Sequence, residues 1–303
     1  MTPKTAYQSI AHLLPLFHQP WWLDAVCEGH WDVAILKEQE KILAVWPYQV
    51  EKKWGFSLLR NPTFTPYLGP ISLSEKPLSE DWVEDLYRQL PKVHFAQWTC
   101  LPEFAQRPFV HLKNSKQQQR TTYCIELKLS EEELWQNMHP KRRNAIRKAQ
   151  SDLIVQAKMM DVDDFAEWQK LAFDEKKNKY PFSAAFLKSV IDKASMQNAS
   201  LNYSVSDKNG NELGQIWLAF DASKMYYLLS ATPAQTHRGA IALLLWTAIL
   251  ESKKMGLETF DFEGSMDDGI AHFFHRFGGI KSSYVNYTIT HSFLWQWKQK
   301  LFG

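Results

Sequence analysis

The apolar positions of this chain recur with two different periods, which predicts short strands mixed with helices. Residues 15–28 have a helical pattern that Gly29 ends. Three extended runs follow at 31–36, 41–50 and 56–60, and polar turns separate them. Runs of this kind predict an antiparallel meander.

The same order of elements occurs again farther along the chain. The first meander is followed by Thr65-Pro66, a predicted helix at 79–90 and predicted strands at 93–99 and 121–127. A second meander, at 201–206, 212–220 and 225–230, is followed by Thr232-Pro233, a helix and a strand. The two halves share little residue identity, so the pattern predicts a repeat of layout rather than of sequence. The alternative is that these elements recur by chance.

The segment 226–279 carries the clearest functional signal. Pro233 cannot donate a hydrogen bond to a strand ladder, so the last strand of the second meander ends before it. A helix with apolar residues nearly all round follows and ends at Gly256. Its first N–H groups are expected to open at the end of the strand, where they and the helix dipole attract an anion.

Two further predicted elements follow that helix. In the strand 259–264, Phe260 and Phe262 occupy one face and Asp261 and Glu263 the other. The next helix has one apolar face, and its polar face presents His272, His275 and Arg276.

Two motifs in this segment resemble known signatures. His237-Arg-Gly-Ala-Ile-Ala242 resembles the Q/R-x-x-G-x-G/A loop with which GNAT-type N-acyltransferases hold the pyrophosphate of acyl-coenzyme A. Asp-Phe-x-Gly followed by Phe-Phe-x-x-Phe-Gly resembles the C-terminal signature of the FemABX branch of the same superfamily. The resemblance covers most of the chain in layout, but its motifs lie only within 226–279.

The resemblance implies an α+β fold with tandem GNAT-like lobes, whose mixed, mainly antiparallel sheets are flanked by helices. The expected division is an N-terminal lobe at 1–129, basic linking helices at 130–150 and a C-terminal lobe at 151–303 that carries the donor site.

The resemblance also implies an N-acyltransferase that moves an acetyl or aminoacyl group to an amine. Such a reaction needs a base, worth about 10²–10⁴ in rate, and Glu263, His272 and His275 are the candidates. The alternatives are that Glu263 is a surface carboxylate paired with Arg276 and that the histidines are surface residues.

Donor binding is assigned to five residues: Arg238, Gly239, Ala240, Ala242 and Arg276. The donor itself stays open between acyl-coenzyme A and aminoacyl-tRNA. Ala240 and Ala242 replace the expected glycines, which weighs against the usual coenzyme A pose. Phe274 replaces the lysine of the FemABX pattern, which weighs against charged tRNA.

Other segments leave alternatives open. The basic run 141–148 is either a phosphate-binding collar, a surface helix paired with carboxylates or a nucleic-acid contact. The loop with Tyr180 and Phe182 either lines the acceptor site or is a surface loop held by two aromatic rings.

Composition narrows the classes of protein to which this chain can belong. The 303 residues carry 35 Lys and Arg against 33 Asp and Glu, a net charge of +2 that demands no nucleic acid. Three cysteines far apart (Cys27, Cys100 and Cys124) favour reduced thiols in the cytoplasm. No metal site is expected, because His272 and His275 have no cysteine nearby.

No membrane span is expected, and the tail 293–300 is predicted to be a docked helix rather than a membrane contact. The expected partner is a small-molecule or peptide amine acceptor. The alternative function is an inactive GNAT-like scaffold that binds a cell-envelope precursor or a protein, and the oligomeric state is left open.

Overall fold

Helices and short strands alternate along the chain in a computed structural model that describes residues 2–102, 115–264 and 268–302. The helices are α1 (Pro3–Gln8), α2 (Pro20–Val26), α3 (Glu80–Gln89), α4 (Glu131–Asn137), α5 (Pro140–Asp152), α6 (Val162–Glu175), α7 (Ala184–Met196), α8 (Ala240–Lys254), α9 (Asp268–His275) and α10 (Phe293–Phe302). The strands are β1 (Asp32–Glu38), β2 (Lys41–Tyr48), β3 (Val50–Lys53), β4 (Phe56–Leu59), β5 (Ile71–Ser72), β6 (Phe95–Thr99), β7 (Lys116–Glu126), β8 (Leu153–Ala157), β9 (Ser200–Asp207), β10 (Glu212–Phe220), β11 (Lys224–Ala231), β12 (Thr259–Asp261) and β13 (Ile280–Thr290).

Side-chain caps fix where several helices begin. Ser130 and Glu133 form a reciprocal capping box at α4, in which each side chain accepts from the other residue's backbone N–H. Ser183 caps α7 by accepting from the N–H of Phe186. Pro140 occupies the first position of α5, where a missing N–H costs nothing.

The chain forms two compact units. The first unit comprises residues 1–121 and 283–303, and the second comprises 122–282. The units therefore divide the chain differently from the predicted lobes: α4 and α5 belong to the second unit, and the C-terminal segment belongs to the first. No described helix has the length and apolar character needed to cross a membrane.

The first unit corrects the prediction of one continuous N-terminal meander. β1 and β2 pair antiparallel and form a sheet with β5, whereas β3 pairs with β4. β4 then pairs with β6 in parallel, and β6 pairs antiparallel with β13. The predicted run 41–50 is split because β2, which contains Pro47, ends at Tyr48 and the chain enters different pairings at Val50.

Aromatic side chains form much of the first unit's core. Trp98 stacks on Tyr287 with ring centroids 5.4 Å apart, and it contacts Trp46 at 5.0 Å. All three side chains are buried. The high tryptophan content of the chain therefore contributes here to packing.

The second unit confirms the second meander and adds a strand that the pattern did not predict. Its strands lie in the order β8-β9-β10-β11-β12-β7, and β8 was missed. β11 and β12 pair in parallel, and the other neighbours in this order are antiparallel. Helix α8 packs against β8, β9 and β10, while α6 contacts β11 and α7 contacts β9.

The pairing of β11 changes along its length, and this change opens the site. β12 pairs with β11 only from Lys224 to Tyr226. On the other edge, the register between β10 and β11 shifts between Trp217 and Leu218, which is a β-bulge or similar irregularity. The rest of β11, from Tyr227 to Ala231, therefore continues beyond the end of β12.

Candidate functional site

A cavity of about 450 Å³ lies where β11 continues beyond β12. It is lined by Tyr227, Ser230, Ile241, Gly269, Ile270, Phe273 and Phe274. These residues come from the unpaired end of β11, the first turn of α8 and the helix α9. These three elements therefore meet at a hollow in the second unit.

Glu263 lies just beyond the end of β12 in an uncommon backbone conformation. Its φ is +60°, and Gly264 follows with φ +70°. The N–H of Glu263 donates to Oδ1 of Asp261 at 2.8 Å. A non-glycine residue in the left-handed region costs on the order of 1–3 kcal/mol and is frequent at functional sites.

The carboxyl group of Glu263 is electrostatically unusual. Its Oε1 atom is buried and has no hydrogen-bond partner among the described residues. Burial, with a smaller contribution from Asp261, raises the pKa of Glu263 well above the ordinary value. No ion pair joins it to Arg276 in the described part of the chain, so the predicted alternative of a paired surface carboxylate is not observed.

Glu263 is close enough to Tyr227 to affect the titration of that side chain. Burial raises the pKa of Tyr227 to about 12, the hydrogen bond to Ser230 lowers it and the charge of Glu263 raises it further. Tyr227 lines the cavity, so the charge of Glu263 acts on a residue of the cavity wall.

Asp261 holds the end of β12 in place. Its side chain is buried and accepts from Oγ1 of Thr122 at 2.6 Å as well as from the N–H of Glu263. The sequence placed Asp261 and Glu263 on one strand face but gave no indication of Thr122, which is 139 residues away. Asp261 therefore positions the backbone that carries Glu263.

A hydrogen-bonded chain connects the cavity to the loop before α7. The hydroxyl of Tyr227 donates to Oγ of Ser230, and Nε2 of Gln169 donates to the carbonyl oxygen of Ser230 at 3.3 Å. The hydroxyl of Tyr180 donates to Oε1 of Gln169 at 3.0 Å. The sequence singled out Tyr180 but assigned no role to Tyr227, Ser230 or Gln169. The one feature of the sequence that indicated any of these three residues was a serine, Ser230, at the end of an apolar strand.

Helix packing explains why residue 239, at the start of α8, is a glycine. A Cβ atom at this position would lie 2.8 Å from the carbonyl oxygen of Ala145 and 2.8 Å from Cβ of Ala149, both on α5. The N–H of Gly239 donates to Nδ1 of His237, and the N–H of Ala240 donates to its carbonyl oxygen. Two of the amides assigned to phosphate binding are therefore already hydrogen-bonded within the loop.

The other donor-binding assignments stay predictions. Among the described residues, no backbone carbonyl accepts from the N–H groups of Ile241 and Ala242, although the Ala242 side chain itself is buried. Arg238 is exposed, and its guanidinium has no hydrogen bond or ion pair in the described ranges. These groups remain available to an anion.

Helix α9 brings its phenylalanines to the cavity and turns its histidines away. At about 100° per residue, His275 lies nearly opposite the side that Gly269, Ile270 and Phe273 present. His272 and His275 are exposed, and the ring of His275 contacts that of Tyr123 at 5.8 Å. Of the three predicted bases, Glu263 is the one whose charge acts on a residue that lines the cavity.

The junction of α5 and α9 gathers positive charge. Arg142 is buried, its guanidinium lies 3.9 Å from the ring centroid of Phe273, and its Nη2 donates to the Phe273 carbonyl oxygen. Burial, with a contribution from Arg276, lowers the pKa of Arg142 to about 10. The N–H of His139 donates to the carbonyl oxygen of Arg276 at 3.0 Å, which joins the two helices.

No carboxylate within the described ranges pairs with this cluster. Partial desolvation and then the charges of Arg276, Lys141, His272 and Arg142 lower the pKa of His139. Arg143, in contrast, donates to the carbonyl oxygens of Gln136 and Met138 at the end of α4. The basic run therefore includes cations that serve packing and cations that lack a counter-charge.

Gly278 fixes the end of α9 against α4, and its replacement should destabilise the protein. Its φ is +83°, and an added Cβ would lie 2.9 Å from the carbonyl oxygen of Asn137. We expect Gly278→Ala to lower the free energy of unfolding by more than the roughly 1–2 kcal/mol of left-handed strain alone. Gly210→Ala is the matched control, because its φ is +87° but no atom lies within 4 Å of the added Cβ. Equal losses for both variants in urea denaturation would contradict the close packing.

Comparison with known proteins gives the fold. No family model matches this sequence, and no curated protein matches it. Among solved structures, FemX aligns with TM-score 0.68 and 12% identity, covering 94% of this chain and 96% of its own. L-PGS from Bacillus licheniformis aligns with TM-score 0.54 and 10% identity, covering 90% and 88%.

A tandem GNAT protein from the clavulanic acid biosynthesis pathway aligns with TM-score 0.51 and 9% identity, covering 86% of this chain and 83% of that one. Identities of this size establish the fold and not the activity. The chain therefore shares its fold with FemX and with this tandem GNAT protein.

Proposed function

We propose that the second unit transfers an acetyl or aminoacyl group from a coenzyme A thioester or an aminoacyl-tRNA to an amine. One observation carries the proposal: the half-buried Glu263 follows the end of β12, its carboxyl has a raised pKa and a buried Oε1 without a partner among the described residues, and its charge acts on Tyr227 of the cavity. A perturbed carboxyl beside a cavity is what a base for amine chemistry requires.

In the proposed reaction, the amine nitrogen forms a bond to the acyl carbon, and the bond from that carbon to the sulfur or oxygen of the donor breaks. The ionised Glu263 carboxylate accepts the proton that leaves the nitrogen. Ser230 accepts a hydrogen bond from Tyr227, so its own O–H remains free to donate. We assign that hydroxyl to the donor carbonyl oxygen, where negative charge develops.

For the donor phosphates, the uncompensated charges at the junction of α5 and α9 supplement the predicted contacts. Arg276 is half-buried, and its Nε has no partner among the described residues. Together with Arg238 and the N–H groups of Ile241 and Ala242, it offers charge-assisted hydrogen bonds to phosphate oxygens. Ser230 and Ile241 both line the cavity, so the loop between β11 and α8 adjoins the proposed reaction site.

Calorimetric titration with coenzyme A and acetyl-coenzyme A tests the donor contacts. Arg276→Ala and Arg238→Ala should each weaken binding about tenfold, which corresponds to about 1.4 kcal/mol for one charged contact. Lys188→Ala is the control, because Lys188 is an exposed cation of α7 that pairs with Asp192. Unchanged affinity in both arginine variants would remove these two residues from the donor site.

For the acceptor, the chain from Ser230 to Tyr180 favours the second cavity of this unit. That cavity, of about 650 Å³, lies beside Tyr180 and Phe182. Its charged lining residues are three carboxylates and two lysines: Asp163, Glu167, Asp174, Lys170 and Lys179. These carboxylates would attract a small-molecule or peptide amine. The cysteines are free, which suits the cytoplasm as the place of the reaction.

One observation favours a second candidate, an inactive scaffold of the same fold that binds a cell-envelope precursor or a protein. The N–H groups of Gly239 and Ala240 are occupied by His237, so the loop does not offer all of its amides to a phosphate. Absence of binding for coenzyme A, acetyl-coenzyme A and aminoacyl-tRNA in the same titrations would support this scaffold and reject the transferase.

A further inference from the structure

The first unit exposes four large apolar side chains, one in the turn between β3 and β4 and three on α10. Trp54, Phe293, Leu294 and Trp297 are 63%, 78%, 67% and 60% exposed. We call these four residues the Trp54 patch. A single exposed apolar residue needs no explanation, but a group of four with two tryptophans indicates an interaction site.

Helix α10 is docked by one side and leaves the other side uncovered. Trp295 is buried and contacts Phe56 and Phe95, with ring centroids 5.1 and 5.9 Å apart. Leu294 and Trp297 are three residues apart, so they share a helix face that points away from Trp295. The tail is therefore the docked helix that the sequence predicts, but its outward face has no partner among the described residues.

A lysine joins the helix to the turn between β3 and β4. Nζ of Lys298 lies 3.9 Å from the ring centroid of Trp54, and Nζ of Lys53 lies 4.8 Å from the same centroid. Trp54 holds this position with φ +54°, which is uncommon for a tryptophan. The turn and α10 thus present one continuous surface.

The charge around the patch is positive. Lys52, Lys53 and Lys298 have no carboxylate within ion-pair distance in the described part of the chain. Glu51, the nearest acidic residue in sequence, is 3.7 Å from Nη1 of Arg60. An apolar surface flanked by lysines that lack a counter-charge complements a partner that is apolar inside and anionic outside.

We propose that the Trp54 patch docks onto an anionic lipid surface. Tryptophan side chains favour the boundary between headgroups and acyl chains, and lysines beside them favour anionic headgroups. A protein partner fits less well, since lysine is depleted from protein–protein interfaces. Helix α10 is about 15 Å long, so it lies along the surface rather than across it.

Vesicle flotation tests the proposal with the full-length protein. The protein should float with vesicles of phosphatidylcholine mixed with anionic phosphatidylglycerol, because anionic headgroups attract basic segments. It should remain in solution with phosphatidylcholine alone, and added salt should weaken the binding. Capture by both vesicle types alike would overturn the assigned role of the lysines.

Matched variants identify the residues that bind the vesicles. Trp54→Ala with Trp297→Ala should lower the partition coefficient more than tenfold, and Lys53→Gln with Lys298→Gln roughly 25-fold, at about fivefold for each lysine. Met196→Ala is the control, because Met196 is 78% exposed and belongs to the other unit. Thermal unfolding of each variant shows that it is folded.

Three results would reject the lipid surface. The first is no flotation with anionic vesicles at low salt. The second is flotation that remains unchanged when Trp54 and Trp297 are both replaced by alanine. The third is self-association in sedimentation velocity that depends on the patch while vesicles are not bound, because the occupant is then a second copy of the chain. None of these depends on the transferase proposal.

Discussion

Replacing Glu263 by glutamine should lower kcat/KM for acyl transfer by about 10²–10⁴, the usual contribution of a general base. Glutamine keeps the size of the side chain but cannot accept the proton of the amine. Glu258→Gln is the matched control, since Glu258 is an exposed carboxylate just before the start of the same strand. Initial rates with acetyl-coenzyme A or aminoacyl-tRNA and an amine acceptor measure the effect.

The pH dependence of stability gives this variant a second readout that does not need the substrate. Burial raises the pKa of Glu263, so between the unfolded and folded values the folded protein binds the proton and the unfolded chain does not. Stability should therefore fall as pH rises through this window, by at most about 1.4 kcal/mol per pH unit from this group.

Glu263→Gln removes that loss, so its unfolding free energy should exceed that of the natural protein by an amount that grows with pH. Urea denaturation at pH 5 and pH 8 measures the difference. A variant with full activity would exclude Glu263 as the base. If the unfolding free energy of the variant changes with pH as that of the natural protein does, ionisation of Glu263 does not destabilise the folded protein.

Phe262→Ala should cost about 3–5 kcal/mol of stability, the range for truncating a buried phenylalanine. Phe262 is buried and stacks on Phe274, with ring centroids 4.8 Å apart and planes at 18°. Its ring also contacts Phe277 at 5.5 Å. Because Phe274 lines the cavity, the truncation should also loosen α9 and lower donor affinity.

Phe293→Ala is the control for this variant, because Phe293 is 78% exposed and its truncation should change stability by less than about 0.5 kcal/mol. Denaturation in urea measures both variants. A cost for Phe262→Ala close to that of the control would mean that the aromatic cluster does not hold α9 to the strand end.

Local patterns predicted the second unit better than the first. The second meander was predictable because its strands are sequential neighbours. Helix α8 was predictable because apolar residues occupy most of its positions and a proline precedes it and a glycine follows it. The first meander failed because β2 and β3 are adjacent in sequence but pair with different strands. Pairing partners depend on long-range contacts that periodicity does not contain.

The candidate site likewise contains residues that the sequence predicted and residues that it did not. Glu263 could be predicted because it follows a short apolar strand, and its burial was then decided by tertiary structure. The hydrogen bond from Gln169 to Ser230 spans 61 residues, so no local spacing indicates it. The helical pattern predicted that His272 and His275 lie on the face opposite the phenylalanines. It did not predict that the phenylalanine face lines the cavity.

The contact of Gly239 with α5 bears on how this protein could be engineered. The backbone of Ala145 and the methyl group of Ala149 leave no room for a larger residue at Gly239. A transplanted loop must therefore keep glycine at position 239, or helix α5 has to be exchanged together with the loop. Directed evolution of donor choice should accordingly select paired changes at both places.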